Sequence, residues 1–301
     1  MVTARSSILA IDDVHGKPEC NVAIWFVLKG DVTVKEFQTL FAEKVLQLRN
    51  TSDGSLAYPE FQQYYTHSLG FLFWKWDENF NISNHIKLCQ EFKDRSPTED
   101  DVRKYNEKLM SRPWETNQSP WRFLIVPNYQ RRKLDTAVDH KPRTLILFHL
   151  HHGMGDGYSF LKMILGHLNG GESVQKFAKP KLVLPKRGIL THCKNVLCLP
   201  VKVLYEFSKQ AISFDINEWH LSPSVLTRKY RVAKTGEIPV SFIKEIKNMY
   251  NVSFTAVLFA AVTGGIRKHF LNERIQLPDS MHVFVPMPYP NHPDNKLRNH
   301  L

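Results

Sequence analysis

Arg143-Thr-Leu-Ile-Leu-Phe-His-Leu-His-His-Gly-Met-Gly-Asp-Gly157 is the stretch on which the reading of this chain turns. An apolar run ends in the adjacent histidines His151 and His152, after which glycines alternate with Met154 and Asp156. Such a run predicts a buried central strand over residues 145–150. A strand that stops this way presents an imidazole at its end, and the glycines let backbone and ligand approach closely. Free histidine titrates near neutral pH, so an imidazole there suits taking a proton from an alcohol or thiol.

Outward from this segment, residues 121–126 and 22–28 read as further strands, with Pro113-Trp114 and Pro120-Trp121 bracketing a turn. Residues 34–49 have helical periodicity, with Phe37, Leu40, Phe41, Val45 and Leu48 inward. A polar helix is expected over 98–110, and a helix over 158–168 stopped by Gly170-Gly171. Residues 72–86 read as an aromatic loop leading into a short strand. Composition then shifts: 173–185 is a lysine- and proline-rich linker, and 188–214 mixes basic with apolar residues around Pro200. Strands over 228–234 and 281–287 and helices over 240–250 and 252–270 complete an α/β layered pattern.

The 301 residues carry a formal charge of +11, which favours an anionic partner. The cations are scattered and match no zinc-finger or RNA-binding signature, so nucleic acid is set aside in favour of a phosphorylated ligand or an anionic membrane surface. Four dispersed cysteines read as reduced intracellular thiols rather than a disulfide scaffold. The short apolar stretch before Asp12-Asp13 does not read as a signal peptide, and no window reaches the ~18 apolar residues expected of a spanning helix.

Several segments, in order, resemble the wax ester synthase/diacylglycerol acyltransferase family of bacteria and plants, a branch of the CoA-dependent acyltransferases. They are His151-His152-x-x-x-Asp156-Gly157, Phe80-Asn-Ile-Ser-Asn-His85-Ile86, Ser119-Pro120-Trp121, the 255–267 helix ending Gly264-Gly265-Ile-Arg267, Val283-Phe-Val-Pro286-Met-Pro288, and Leu297-Arg-Asn299. The resemblance implies a chloramphenicol-acetyltransferase-like α/β architecture, a two-layer mixed sheet with helices, in two similar halves. On that reading 1–172 is the N-terminal half, 173–226 a crossover, and 227–301 the start of an incomplete C-terminal half. One departure is local: Thr255-Ala256 stands where the family has Asn-Asp.

The implied chemistry is transfer of a fatty acyl group from acyl-CoA to a long-chain alcohol or diacylglycerol, with no cofactor beyond the acyl donor. By resemblance His152 is the general base, His151 supports it, Asp156 anchors the turn by pairing with an arginine, and Gly157 gives the turn room. Trp121 is placed either in the acyl channel or in the core, and Thr255 either beside the reacting carbonyl or at a helix start. His149, His151 and His152 raise a metal site, but no acid or thiol accompanies them at a ligand spacing, so none is expected. Residues 188–207 would suit peripheral attachment to the cytoplasmic side of a membrane or lipid droplet, or form a crossover packed on the two halves. The alternative functions are a catalytically impaired lipid- or CoA-binding isoform and a transferase for another alcohol.

Overall fold

The computed structural model describes residues 1–130, 142–168, 188–212, 229–236, 238–278, 280 and 296–299. The expected Gly170-Gly171 stop, the linker over 173–185 and the strand over 281–287 lie outside them. The chain divides into two units, Met1–Leu184 with Thr227–Ala233 and Pro286–Leu301, and Pro185–Leu226 with Lys234–Val285. The C-terminal Leu297, Arg298 and Asn299, which sequence order puts with the last segment, therefore belong with the histidine motif.

The first unit contains, in order, α1 (Ala4–Leu9), β1 (Asn21–Lys29), α2 (Val34–Phe41), β2 (Gln63–Ser68), β3 (Phe71–Trp76), α3 (Ile82–His85), β4 (Ile86–Leu88), α4 (Glu99–Met110), β5 (Trp121–Val126), β6 (Arg143–His151) and α5 (Gly157–Met163). Four strands form a mixed sheet in the order β1-β6-β5-β4. The β1–β6 and β6–β5 pairs are antiparallel, while β5–β4 is parallel.

Alternation along the central strands sorts side chains onto two faces. Ile146, Phe148 and Leu150 join Phe123, Ile125 and the α2 residues Phe37 and Phe41 in one cluster. Leu145 and Leu147 join Leu124, Val126 and the α4 residues Val102 and Leu109 in another. The Phe123 and Phe148 rings stack at 4.1 Å across adjacent strands, and each such ring fully buried contributes about 1.5–3 kcal/mol. Burial of both faces explains why β6 reads as a continuous apolar run. The amphipathic helix expected over 34–49 is α2 continued by a π-helical stretch, Ala42–Leu46. Thr98 and Asp101 form a reciprocal capping box that starts α4 where sequence places it.

Two expectations change. Residues 72–86 do not begin as a loop: β3 pairs with β2 in a hairpin from Gln63↔Trp76 to Ser68↔Phe71. Its turn is Leu69-Gly70, both at positive φ (49° and 79°), as a two-residue hairpin turn requires. Leucine is costly there, which hides the turn from sequence. No strand forms in the described part of 228–234. There the Val232 N–H donates to Glu107 Oε1 (2.9 Å) and its carbonyl accepts from Arg103 (3.1 Å), so α4 side chains occupy the groups a ladder would use.

The second unit contains α6 (Ile189–Leu197), α7 (Leu199–Ile212), α8 (Val240–Met249) and α9 (Phe254–Asn272). Pro200 sits in the first turn of α7, where its missing N–H costs nothing, and Cys198 separates α6 from α7. Among the described residues no single helix is long and apolar enough to cross a membrane.

Candidate active site

β6 delivers two histidines to different environments. His151, its last residue, is fully buried. Gly153 N–H donates to His151 Nδ1 (3.3 Å), which makes Nδ1 the acceptor and leaves the ring proton on Nε2. That Nε2–H points at Asp12, 3.0 Å from Oδ1 and 3.3 Å from Oδ2. Both nitrogens of His151 are thus committed to the protein.

Asp12 also accepts from the backbone N–H groups of Glu19 (2.6 Å) and Cys20 (3.0 Å). Burial pushes its carboxyl up, but the His151 hydrogen bond and the two N–H donors outweigh that, and its pKa lies below the usual 3.8. A third group, the Tyr65 hydroxyl, is fully buried beside the His151 ring, with ring centroids 5.9 Å apart, and has no hydrogen-bond partner among the described residues.

His152 begins a short 3₁₀ turn, His152–Met154, and is partly exposed. Its backbone is held at both ends. The N–H donates to Cys20 O (2.7 Å), and the carbonyl accepts from Gly155 N–H (3.2 Å) and from Asn299 Nδ2 (2.9 Å). Asn299 Nδ2 also lies 3.1 Å from Ser6 Oγ, which ties α1 and residues 297–299 to the same carbonyl. The His152 side chain buries Nδ1 without a partner among the described residues. It is the one histidine of the pair with a ring nitrogen left over for a ligand.

Asp156 caps α5: its side chain accepts from Ser159 N–H (2.8 Å), a helix cap, which is a different anchor from the arginine pairing that the resemblance implies. Its N–H (3.4 Å) and the Ser159 hydroxyl (3.1 Å) both donate to Arg298 O. Gly157 is different from expectation. A Cβ there would meet nothing within 4 Å among the described residues, because the first residue of a helix points outward. The tight glycines are Gly153, whose Cβ would lie 2.7 Å from both Ala10 Cβ and the Tyr65 hydroxyl, and Gly155, at 3.2 Å from Leu297.

Trp121 occupies the core position rather than a channel wall: it is 1% exposed, and Nε1 donates to Phe61 O (2.8 Å). It stacks on His85 at 4.3 Å, and Phe80 stacks on the same imidazole at 5.2 Å. His85 Nδ1 donates to Trp121 O (2.9 Å), and burial drives its pKa down to about 4. The spacing from Phe80 to His85 is thereby explained as a neutral aromatic stack. His149 is buried, stacks on Trp114 at 4.5 Å, and is held well below the usual histidine range, first by burial and then by Arg122 and Arg112. No group of histidine, cysteine and acidic side chains among the described residues is arranged to hold a metal. Thr255 lies in the second unit, exposed in the first turn of α9, whose cap is Ser253. Sequence reasoning found the histidines but missed Asp12, Tyr65 and Cys20. The pair Asp12-Asp13 after an apolar stretch was the available signal.

No protein-family model matches the chain, and no curated protein matches it in sequence. Its fold is similar to that of a solved wax ester synthase/diacylglycerol acyltransferase from Marinobacter aquaeolei VT8, with TM-score 0.53 and 14% identity over 92% of this chain. The match covers 62% of that protein, so this chain spans about three fifths of its length. Weaker likenesses are the SgcC5 protein from Streptomyces globisporus (TM-score 0.37, 12% identity, 70% of this chain and 46% of that one) and the X-domain from teicoplanin biosynthesis (0.36, 14%, 54% and 30%). The first match shows the fold: mixed strands and helices in the architecture of that acyltransferase.

Proposed function

We propose that this chain is an O-acyltransferase that moves a fatty acyl group from acyl-CoA to a long-chain alcohol or diacylglycerol. The observation that carries the reading is the division of labour between the adjacent histidines: His151 is spent on Asp12 and Gly153, while the fixed, partly exposed His152 keeps a ring nitrogen free. The likeness in fold to the Marinobacter wax ester synthase/diacylglycerol acyltransferase supports the same reaction class. With Nδ1 buried, Nε2 of His152 accepts the hydroxyl proton of the acceptor as its oxygen attacks the thioester carbon. A C–O bond forms, the tetrahedral intermediate collapses, the C–S bond breaks, and the thiolate takes the proton back from His152.

The test is acyl transfer from palmitoyl-CoA to hexadecanol and to a diacylglycerol. His152→Ala should lower the rate by about 10²–10⁴-fold with an unchanged circular dichroism spectrum. A variant as active as the parent overturns the assignment, and acyl-CoA binding without turnover in the parent favours a lipid- or CoA-binding role.

The acceptors are lipids, and peripheral contact with the cytoplasmic side of a membrane or lipid droplet completes the reading. Exposed Leu197, Val201, Leu204 and Phe207 on α6 and α7, with Lys194 and Lys202 among them, support it. Binding to anionic liposomes should fall on Lys194→Glu with Lys202→Glu, and unchanged binding removes these helices from the argument.

A further inference from the structure

A cavity of about 190 Å³ in the first unit is lined by three cations, Lys87 of β4, Arg112 after α4 and Arg122 of β5, together with His85 and Trp114. Arg122 is 5% exposed. Among the described residues no carboxylate comes within ion-pair distance of Arg122, Arg112 or Lys87. The Arg122 guanidinium lies 4.2 Å from the Trp114 ring centroid and makes one long donation to Pro113 O, at 3.4 Å. Most of its five N–H donors therefore have no protein acceptor among the described residues.

The three cations repel one another. Arg122 is pushed down to about 10, first by burial and then by Arg112. Lys87 is lowered by burial and by both arginines. The acid in the lining is Glu115, which is exposed, and His85 stays neutral, so the cavity keeps a positive field. Gathering like charges around a buried guanidinium is unfavourable unless an anion joins them. The planar fork of Arg122, held by the Trp114 ring, matches paired oxygens of a tetrahedral anion.

We propose that Lys87, Arg112 and Arg122 form a binding site for a phosphoryl dianion. Free inorganic phosphate and the 3′-phosphate of CoA present the same chemistry; the CoA source alone rests on the acyl-transfer reading. Titration calorimetry of the full chain at low ionic strength, with inorganic phosphate, CoA and 3′-dephospho-CoA, tests it. Lys87→Gln and Arg112→Gln are surface changes that leave the core intact, and each should weaken phosphate binding by about tenfold. CoA binding tighter than dephospho-CoA, with the difference abolished in Arg112→Gln, identifies CoA as the source. Equal CoA and dephospho-CoA affinities beside intact phosphate binding identify free phosphate. No phosphate binding at millimolar concentration, or binding unchanged in both variants, overturns the site whether or not the chain transfers acyl groups.

Discussion

His151 Nε2 lies 3.0 Å from Asp12 Oδ1, two residues 139 positions apart in the sequence. The pair fixes which ring nitrogen of His151 carries the proton, and through the Gly153 N–H on the other nitrogen it fixes the turn that aims His152. On the function proposed above, His151 acts by positioning rather than by touching a reactant.

Asp12→Asn should therefore lower the rate of acyl transfer while substrate affinity holds. It should also cost about 1.5–3 kcal/mol in urea unfolding, the contribution of a buried hydrogen bond to a charged group. Equal kcat and equal stability in the variant would remove the positioning role.

Substitution at two glycines should separate crowding from mere proximity to the motif. Gly153→Ala forces a methyl against Ala10 and Tyr65 and should destabilise by about 1–3 kcal/mol. Gly157→Ala meets open space at a helix start and should be neutral or stabilise by about 0.4–1 kcal/mol. Thermal unfolding of the two variants gives the order, and a reversed order contradicts the packing described.

Stability should depend on pH through His85. Its pKa is about 4 in the fold against an ordinary 6.5, so below 6.5 the unfolded chain takes up a proton that the folded chain refuses. The stability present above pH 6.5 is lost as pH falls toward 4, by about 3 kcal/mol from this group. His85→Phe should flatten the unfolding free energy across that window relative to the parent. An identical slope in parent and variant would show that His85 does not titrate there.

Asn299→Ala should leave the His152 carbonyl with Gly155 alone and remove the side-chain donor to the Ser6 hydroxyl, which keeps only the residue-299 backbone N–H. The expected cost is about 1–3 kcal/mol, with a reduced kcat and a pH–rate profile of unchanged shape. Urea unfolding together with steady-state rates checks both parts.

The readable features of this chain are those set by local chemistry. β6 and its histidine turn, the α4 cap at Thr98 and the burial of Phe37 and Phe41 all follow from apolar periodicity and turn residues. The hairpin escaped because Leu69 occupies a backbone conformation its side chain disfavours. The strand over 228–234 failed because α4 side chains compete for Val232. Asp12 was invisible for a different reason: a carboxylate 139 residues from its histidine leaves no local pattern. Gly157 was credited with a role that steric contact assigns to Gly153 and Gly155.

The clamp on His152 also sets an order of assembly. When His152 is synthesised, Asp12 and Cys20 already exist, while Asn299 lies 147 residues ahead. A nascent chain can dock His151 on Asp12 early, yet it lacks the last brace on the neighbouring carbonyl until 147 further residues are made. The turn that carries His152 is therefore among the later parts of the first unit to be finished, so on the function proposed above the base is completed only after most of its surroundings have folded.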